Sequence, residues 1–280
     1  MGDYFRPTRL EEALAALAEK PRTVLAGGTD FYPARVGRPL ADDVVDITGL
    51  AALSGIRREA GHWRIGCLTS WSELIATALP PAFDGLKEAA REVGGVQIQN
   101  AGTLCGNVCN ASPAADGVPP LLVLDAVVEL ASLGGARRVA LADFVVGNRK
   151  TILRPDELVT ALLVPEPSPL ARSRFLKLGA RSYLVISIVM AAALIEAGED
   201  GRVASARVAV GACSAVARRL EALEGALVGR PLDARLGEVA QPAHLAPLDP
   251  IDDIRGTAAY RRDATVTLLH RLLSGLGGAA

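Results

Sequence analysis

Leu25-Ala26-Gly27-Gly28-Thr29-Asp30 follows directly on Thr23-Val24, and the change of composition at Gly27 sets the reading of the whole chain. The run Thr23-Val24-Leu25-Ala26 has the length and β-branched start of a buried strand, which Gly27-Gly28 closes. Two glycines at a strand end let backbone amides approach a diphosphate with no Cβ in the way, and the Thr29 hydroxyl adds a donor. Gly-Gly after a strand is more often an ordinary turn, and the G-x-G-x-x-G spacing of a dinucleotide fingerprint is absent. Asp30 beside a diphosphate would be repelled, so its side chain is expected to turn away, to cap a turn or meet a hydroxyl.

Upstream of this stretch, Thr8-Arg9-Leu10-Glu11 reads as a capping box. Leu10, Ala13, Leu14 and Leu17 then fall on one helix face, and Pro21 stops the pattern. Downstream, Val44-Val45-Asp46-Ile47 and Trp63-Arg64-Ile65-Gly66 read as strands. Ser70-Trp71-Ser72-Glu73 is a second capping box, and a helix over residues 86–93 ends at Gly94-Gly95. Residues 97–120 are rich in Gly, Asn, Ser, Ala and Pro and are expected to form a long loop, which inside a compact domain is usually functional. Small side chains and repeated amides there suit a polar ligand lying along the main chain. Strands are expected at 127–130, 138–141 and 158–164, and Pro165-Glu166-Pro167-Ser168-Pro169 breaks every regular pattern. Beyond that boundary the expectation is strands at 175–178, 185–196 and 203–210 and helices at 215–227 and 257–273. The order of elements is that of an α+β chain.

The 280 residues exceed the size of one ordinary domain, so two domains or one with subdomains is expected. Thirty basic against 31 acidic residues, with no cluster of Lys and Arg, argue against a nucleic-acid partner. The longest apolar run, residues 185–195, falls short of the roughly 20 needed for a membrane span. The first residues lack an apolar signal core, which points to the cytoplasm. There the sequon Asn110-Ala111-Ser112 would carry no meaning. The four cysteines, Cys67, Cys105, Cys109 and Cys213, are too scattered for a disulfide framework. Cys105 and Cys109 could supply half of a metal site, but the three histidines stand apart from them, and no metal is expected.

Ala26-Gly27-Gly28-Thr29-Asp30, with Gly102-Thr103-Leu104-Cys105-Gly106-Asn107 and Ala111-Ser112-Pro113-Ala114-Ala115-Asp116 about 75 residues later, resembles the two FAD loops of the medium subunit of molybdenum hydroxylases. Xanthine dehydrogenase and carbon monoxide dehydrogenase belong to that family, and the resemblance covers essentially the whole chain. It implies a two-subdomain FAD-binding fold of the vanillyl-alcohol-oxidase (PCMH) type over residues 1–167, with subdomains at about 1–54 and 55–167. An α+β domain over 171–280 would follow. Carried over position by position, it implies that the backbone at Ala26, Gly27, Gly28 and Thr29 holds the diphosphate, with Leu25 and Asp30 flanking it. Gly102, Thr103, Cys105, Gly106 and Asn107 line the other side. Asp116 accepts hydrogen bonds from sugar-like hydroxyls, and Ile152 and Leu153 pack near the ring system. Lys177 lies near the isoalloxazine, where a cation favours the anionic reduced flavin. Many relatives carry glycine in place of Cys105, whose sulfur needs room and would set that peptide farther from the phosphates.

The resemblance further implies FAD as the only cofactor, no catalytic acid or base on this chain, and a hetero-oligomer. In it a small subunit with two 2Fe-2S clusters delivers electrons from a large molybdenum-cofactor subunit, and FAD passes them to NAD⁺, oxygen or another acceptor. Two alternatives stay open on the residues themselves. A free-standing FAD oxidoreductase would need an acid or base beside the flavin, and Glu73 and Glu92 read more simply as helix residues. A cofactor-less scaffold subunit would carry bulk in its glycine loops, and Cys105 is the residue that points that way.

Overall fold

The computed structural model describes residues 2–37, 39 and 41–278. The chain opens with β1 (Tyr4–Phe5), α1 (Leu10–Glu19), β2 (Thr23–Leu25) and β3 (Val44–Asp46), and the three strands form a parallel sheet in the order β1-β3-β2. Ala13, Leu14 and Leu17 are buried on the inner face of α1, as the spacing requires. The cap lies one residue later than the sequence reading: Glu12, not Glu11, takes the amides of Thr8 and Arg9, at 3.2 and 3.3 Å. The Arg9 guanidinium closes on the same carboxylate at 3.0 Å, a partner that a Thr-based pattern does not anticipate.

A second sheet follows, antiparallel throughout, built from β4 (Ile56–Glu59), β5 (His62–Gly66), β6 (Val127–Ser132), β7 (Gly135–Ala140) and, after the short β8 (Val145–Gly147) and β9 (Lys150–Thr151) hairpin, β10 (Leu158–Pro165). Its order is β4-β5-β10-β6-β7. Between β5 and β6 lie α2 (Trp71–Ala76), α3 (Asp84–Glu92), α4 (Val96–Ala101), α5 (Leu104–Asn110) and α6 (Val118–Val123). The Ser70–Glu73 capping box forms as expected. The expected loop over 97–120 is corrected: much of it is the two short helices α4 and α5, separated only by Gly102-Thr103, and the start of α6.

The last sheet is antiparallel, β11 (Ala171–Leu178), β12 (Val189–Ala197), β13 (Val203–Gly211) and β14 (Arg218–Arg219), followed by α8 (Glu221–Leu227) and α9 (Ala258–Gly277); the one-turn α7 (Leu141–Phe144) precedes β8. The helix expected over 215–227 is shortened because Arg218 and Arg219 pair with Val210 and Ala209 of β13. Alternate residues of β12 enter different cores, since successive side chains of a strand point to opposite faces. Met190, Ala192 and Leu194 join the core shared with α3 and α6, while Val189, Ala191, Ala193 and Ile195 join the core under α8 and α9. Both faces are therefore covered, which accounts for the nearly unbroken apolar run that the sequence shows there. Helix α3 also closes the β11 edge: Glu88 accepts from the Phe175 amide at 2.7 Å, and Ser173 bridges the Gly85 amide and the Ala82 carbonyl. Among the described residues no helix is long and apolar enough to cross a membrane.

Candidate functional site

Strand β2 ends at Leu25, and the glycines after it meet a segment from far along the chain. A methyl built on Gly27 would overlap the Ala101 carbonyl, so the two backbones touch because neither side chain intervenes. Gly28 adopts a left-handed φ of 71°, with the Tyr32 ring packed across it and the Tyr32 amide bonded back to the Gly28 carbonyl at 3.1 Å. Gly102 completes the approach: a methyl there would meet the Thr29 hydroxyl at 3.3 Å and the Ile98 carbonyl at 2.9 Å.

The second segment is hung on the residues before α2. The Trp71 amide donates to the Gly102 carbonyl at 3.2 Å and the Leu104 amide to the Thr69 carbonyl at 3.1 Å. Trp71, 1 % exposed, lies beneath both Gly102 and Gly117. Thr103 then caps α5, its hydroxyl accepting the Gly106 amide at 3.0 Å, and Asn107 accepts the Gly117 amide at 3.2 Å through its carbonyl. That leaves the Thr103 hydroxyl hydrogen and the Asn107 amide hydrogens as donors.

These pieces enclose a cavity of 770 Å³, within the roughly 300–1,000 Å³ of small-molecule sites. Leu25, Ala26, Gly27, Gly28, Thr29, Asp30, Thr103, Cys105, Gly106, Asn107 and Leu153 line it. Gly102 and Ile152 are not among its lining residues: Gly102 lies against Thr29 and Trp71, and Ile152, like Leu153, packs against the core. Cys105 has only 2 % of its surface exposed and packs in the core, so the extra atom is accommodated there. Burial among apolar groups holds its thiol well above the usual cysteine range, and pushes those of Cys67 and Cys109, which also line the cavity, up to about 12.

Asp116 and Lys177 are brought together and are not among the residues that line this cavity. Asp116 is 8 % exposed; Lys177 Nζ lies 2.7 Å from one carboxylate oxygen, and the Ser187 hydroxyl donates to the other at 2.6 Å. Burial raises the Asp116 carboxyl, and Lys177 and Ser187 oppose the shift. Lys177 also donates to the Glu92 carbonyl at 3.3 Å. Beyond α5 a second cavity, of 1210 Å³, opens between Ser112-Pro113-Ala114 and the 184–188 segment. Arg149 lines both cavities, as do no residues singled out from the sequence. Phe31, Leu158 and Val159 are further wall residues that the sequence reading missed, since nothing in their local pattern separates them from core or turn.

The comparisons with known proteins agree with this architecture. Residues 1–167 match the family model described as the FAD binding domain in molybdopterin dehydrogenase, and residues 174–276 the CO dehydrogenase flavoprotein C-terminal domain. The nicotinate dehydrogenase FAD-subunit of Eubacterium barkeri is 30 % identical over 96 % of this chain and 94 % of its own length. The putative xanthine dehydrogenase FAD-binding subunit of Escherichia coli K12 is 30 % identical, covering 99 % of this chain and 96 % of that protein. Among solved structures, reconstituted CO dehydrogenase from Oligotropha carboxidovorans has a chain that superposes with a TM-score of 0.90 at 29 % identity, covering 100 % of this chain and 99 % of that one.

Proposed function

The chain belongs to the family of FAD-binding subunits of molybdopterin dehydrogenases, and from that premise we propose that it is the electron-transfer subunit of such a complex, with FAD held between its two glycine loops. The observation that carries the reading is the contact of Gly27 with the Ala101 carbonyl, which joins loops about 75 residues apart into one cavity wall. Gly27, Gly28 and Thr29 on one side and Thr103, Gly106 and Asn107 on the other would hold the diphosphate by backbone amides and short polar side chains. Leu153, Leu158 and Val159 would exclude water from the apolar wall. FAD, when bound, supplies the junction between one-electron carriers and two-electron acceptors.

In this reading residues 1–167 form the FAD-binding part and 171–280 the C-terminal domain. A small subunit with two 2Fe-2S clusters feeds electrons in, a molybdenum-cofactor subunit oxidises the substrate, and NAD⁺, oxygen or another carrier takes the electrons away. The complex works in the cytoplasm. The chain provides binding and orientation, and no side chain of the cavity is assigned an acid or base step.

The test is to purify the chain alone, record its visible spectrum, and identify any flavin released on denaturation. Bound FAD in the lone chain, together with iron and molybdenum in the complex captured through a tag on it from its native cells, supports the reading. A protein that stays colourless in excess FAD overturns it.

A further inference from the structure

We propose that Arg149 is the cation that binds the FAD diphosphate, reaching it from the C-terminal end of α5; the inference rests on the FAD reading above. Three observations lead to it. The first is charge. The charged residues lining the glycine-loop cavity are Asp30, Arg35 and Arg149. Arg35 is already occupied, 2.6 Å from the Asp42 carboxylate and 3.9 Å over the Phe31 ring. Among the described residues no carboxylate forms an ion pair with Arg149. A diphosphate carries two negative charges into a cavity that already holds Asp30, and backbone amides are neutral, so an unpaired guanidinium is the complementary group.

The second is backbone conformation. Arg149 has a φ of 56° in the tight turn between β8 and β9, where hairpins place glycine or asparagine. A left-handed arginine is disfavoured by its own Cβ, and such outliers gather where the side chain has a task. The third is position. The Arg149 amide donates to the Ala111 carbonyl at 2.9 Å, and its guanidinium donates to the Asn110 side-chain carbonyl. Both residues end α5, whose first turn carries Thr103 and Gly106. The two ends of one short helix thus face the same cavity, with the neutral donors at one end and the cation at the other. Of the five guanidinium hydrogens, those not used by Asn110 remain for a ligand.

The experiment measures the Kd of FAD for the flavin-free full chain, by quenching of flavin fluorescence over a range of NaCl, for the wild type and for Arg149→Ala, Arg149→Gly and Arg149→Lys. The melting temperature of each flavin-free protein is recorded alongside. The Ala and Gly variants are expected to bind FAD roughly tenfold or more weakly, with a flatter salt dependence, and the Lys variant to fall between. The Gly variant relieves the left-handed turn, so its melting temperature should hold or rise while its affinity falls, a split that a structural role would not produce. The proposal is overturned if the variants match the wild type within about twofold, as an exposed charge without contact would. It is also overturned if affinity is kept and only the flavin midpoint potential moves, which would put Arg149 at the ring. A wild-type chain that binds no FAD overturns the FAD reading itself, an outcome distinct from both.

Discussion

At the level of single residues, the site depends on atoms that are not there. Gly27 and Gly102 matter because each lacks the Cβ that would separate the two loops. Gly27→Ala puts a methyl onto the Ala101 carbonyl, a backbone atom that cannot swing aside as a side chain does. The expected result is a loss of about 1–3 kcal/mol in chemical denaturation, as for overpacking elsewhere, together with weakened FAD binding. Gly225→Ala, in α8, is the useful control, because a methyl there would meet nothing within 4 Å. Equal stability losses in the two variants would show that the loop contact is not what Gly27 is for. Gly27 and Gly102 were singled out through the resemblance to the family's two loops, because a Gly-Gly pair after a β-branched run is by itself more often an ordinary turn. Arg149 was not, since neither its left-handed φ nor its nearness to Asn110 leaves a mark on local composition.

Among the elements, the strands and long helices could be read because burial imposes a period, while the segments around the site could not. Helices α4 and α5 have 6 and 7 residues, too short to be stable through propensity, and are set by outside anchors such as the pairing of Ser70 with Thr103. The same holds for the turn into β10, whose first residues wall the cavity. There Glu157, 4 % exposed, receives Arg137 through both oxygens, at 2.6 and 2.8 Å, and the Arg154 amide at 2.9 Å. The Arg137 hydrogen bond is the main cause that holds the Glu157 carboxyl below the usual range, against the opposing effect of burial. A depressed folded-state pKa gives stability that is present above the unfolded value of about 4.3 and is lost as pH falls through the folded one. Glu157→Gln is therefore expected to cost about 1–2 kcal/mol at pH 7 and to flatten the decline of stability below pH 5, read from urea melts across that range. A variant whose pH profile runs parallel to the wild type would remove Glu157 from the acid response.

On the scale of the whole molecule, the last sheet is what joins the chain's parts. One face of β12 packs on α3 and α6 and the other on α9, with α8 on the neighbouring β13, so separating the parts would expose Met190, Ala192 and Leu194 together. Into this largely apolar seam is set a nearly buried ion pair, Lys177 of β11 with Asp116 before α6. A pair of this kind adds little over an apolar substitute, but removing one partner strands the other in a medium of low polarity. Lys177→Met should then cost about 3–5 kcal/mol, and Lys177→Met with Asp116→Asn distinctly less, because the double variant leaves no charge behind. The pH dependence separates this account from a simple packing loss. Burial already raises the Asp116 carboxyl, and Lys177 is the strongest influence opposing it, so without the lysine the folded-state pKa must climb further. For an acid raised on folding, the neutral form is favoured in the folded state, so stability is full below the unfolded value of about 3.9 and is lost as pH rises through the folded one. The single variant should therefore be more severely destabilised at pH 8 than at pH 5, while the double variant loses the same amount at both. Urea melts at the two pH values decide it: a cost of Lys177→Met that does not change with pH would mean that Asp116 keeps its charge solvated, and that Lys177 contributes through packing alone.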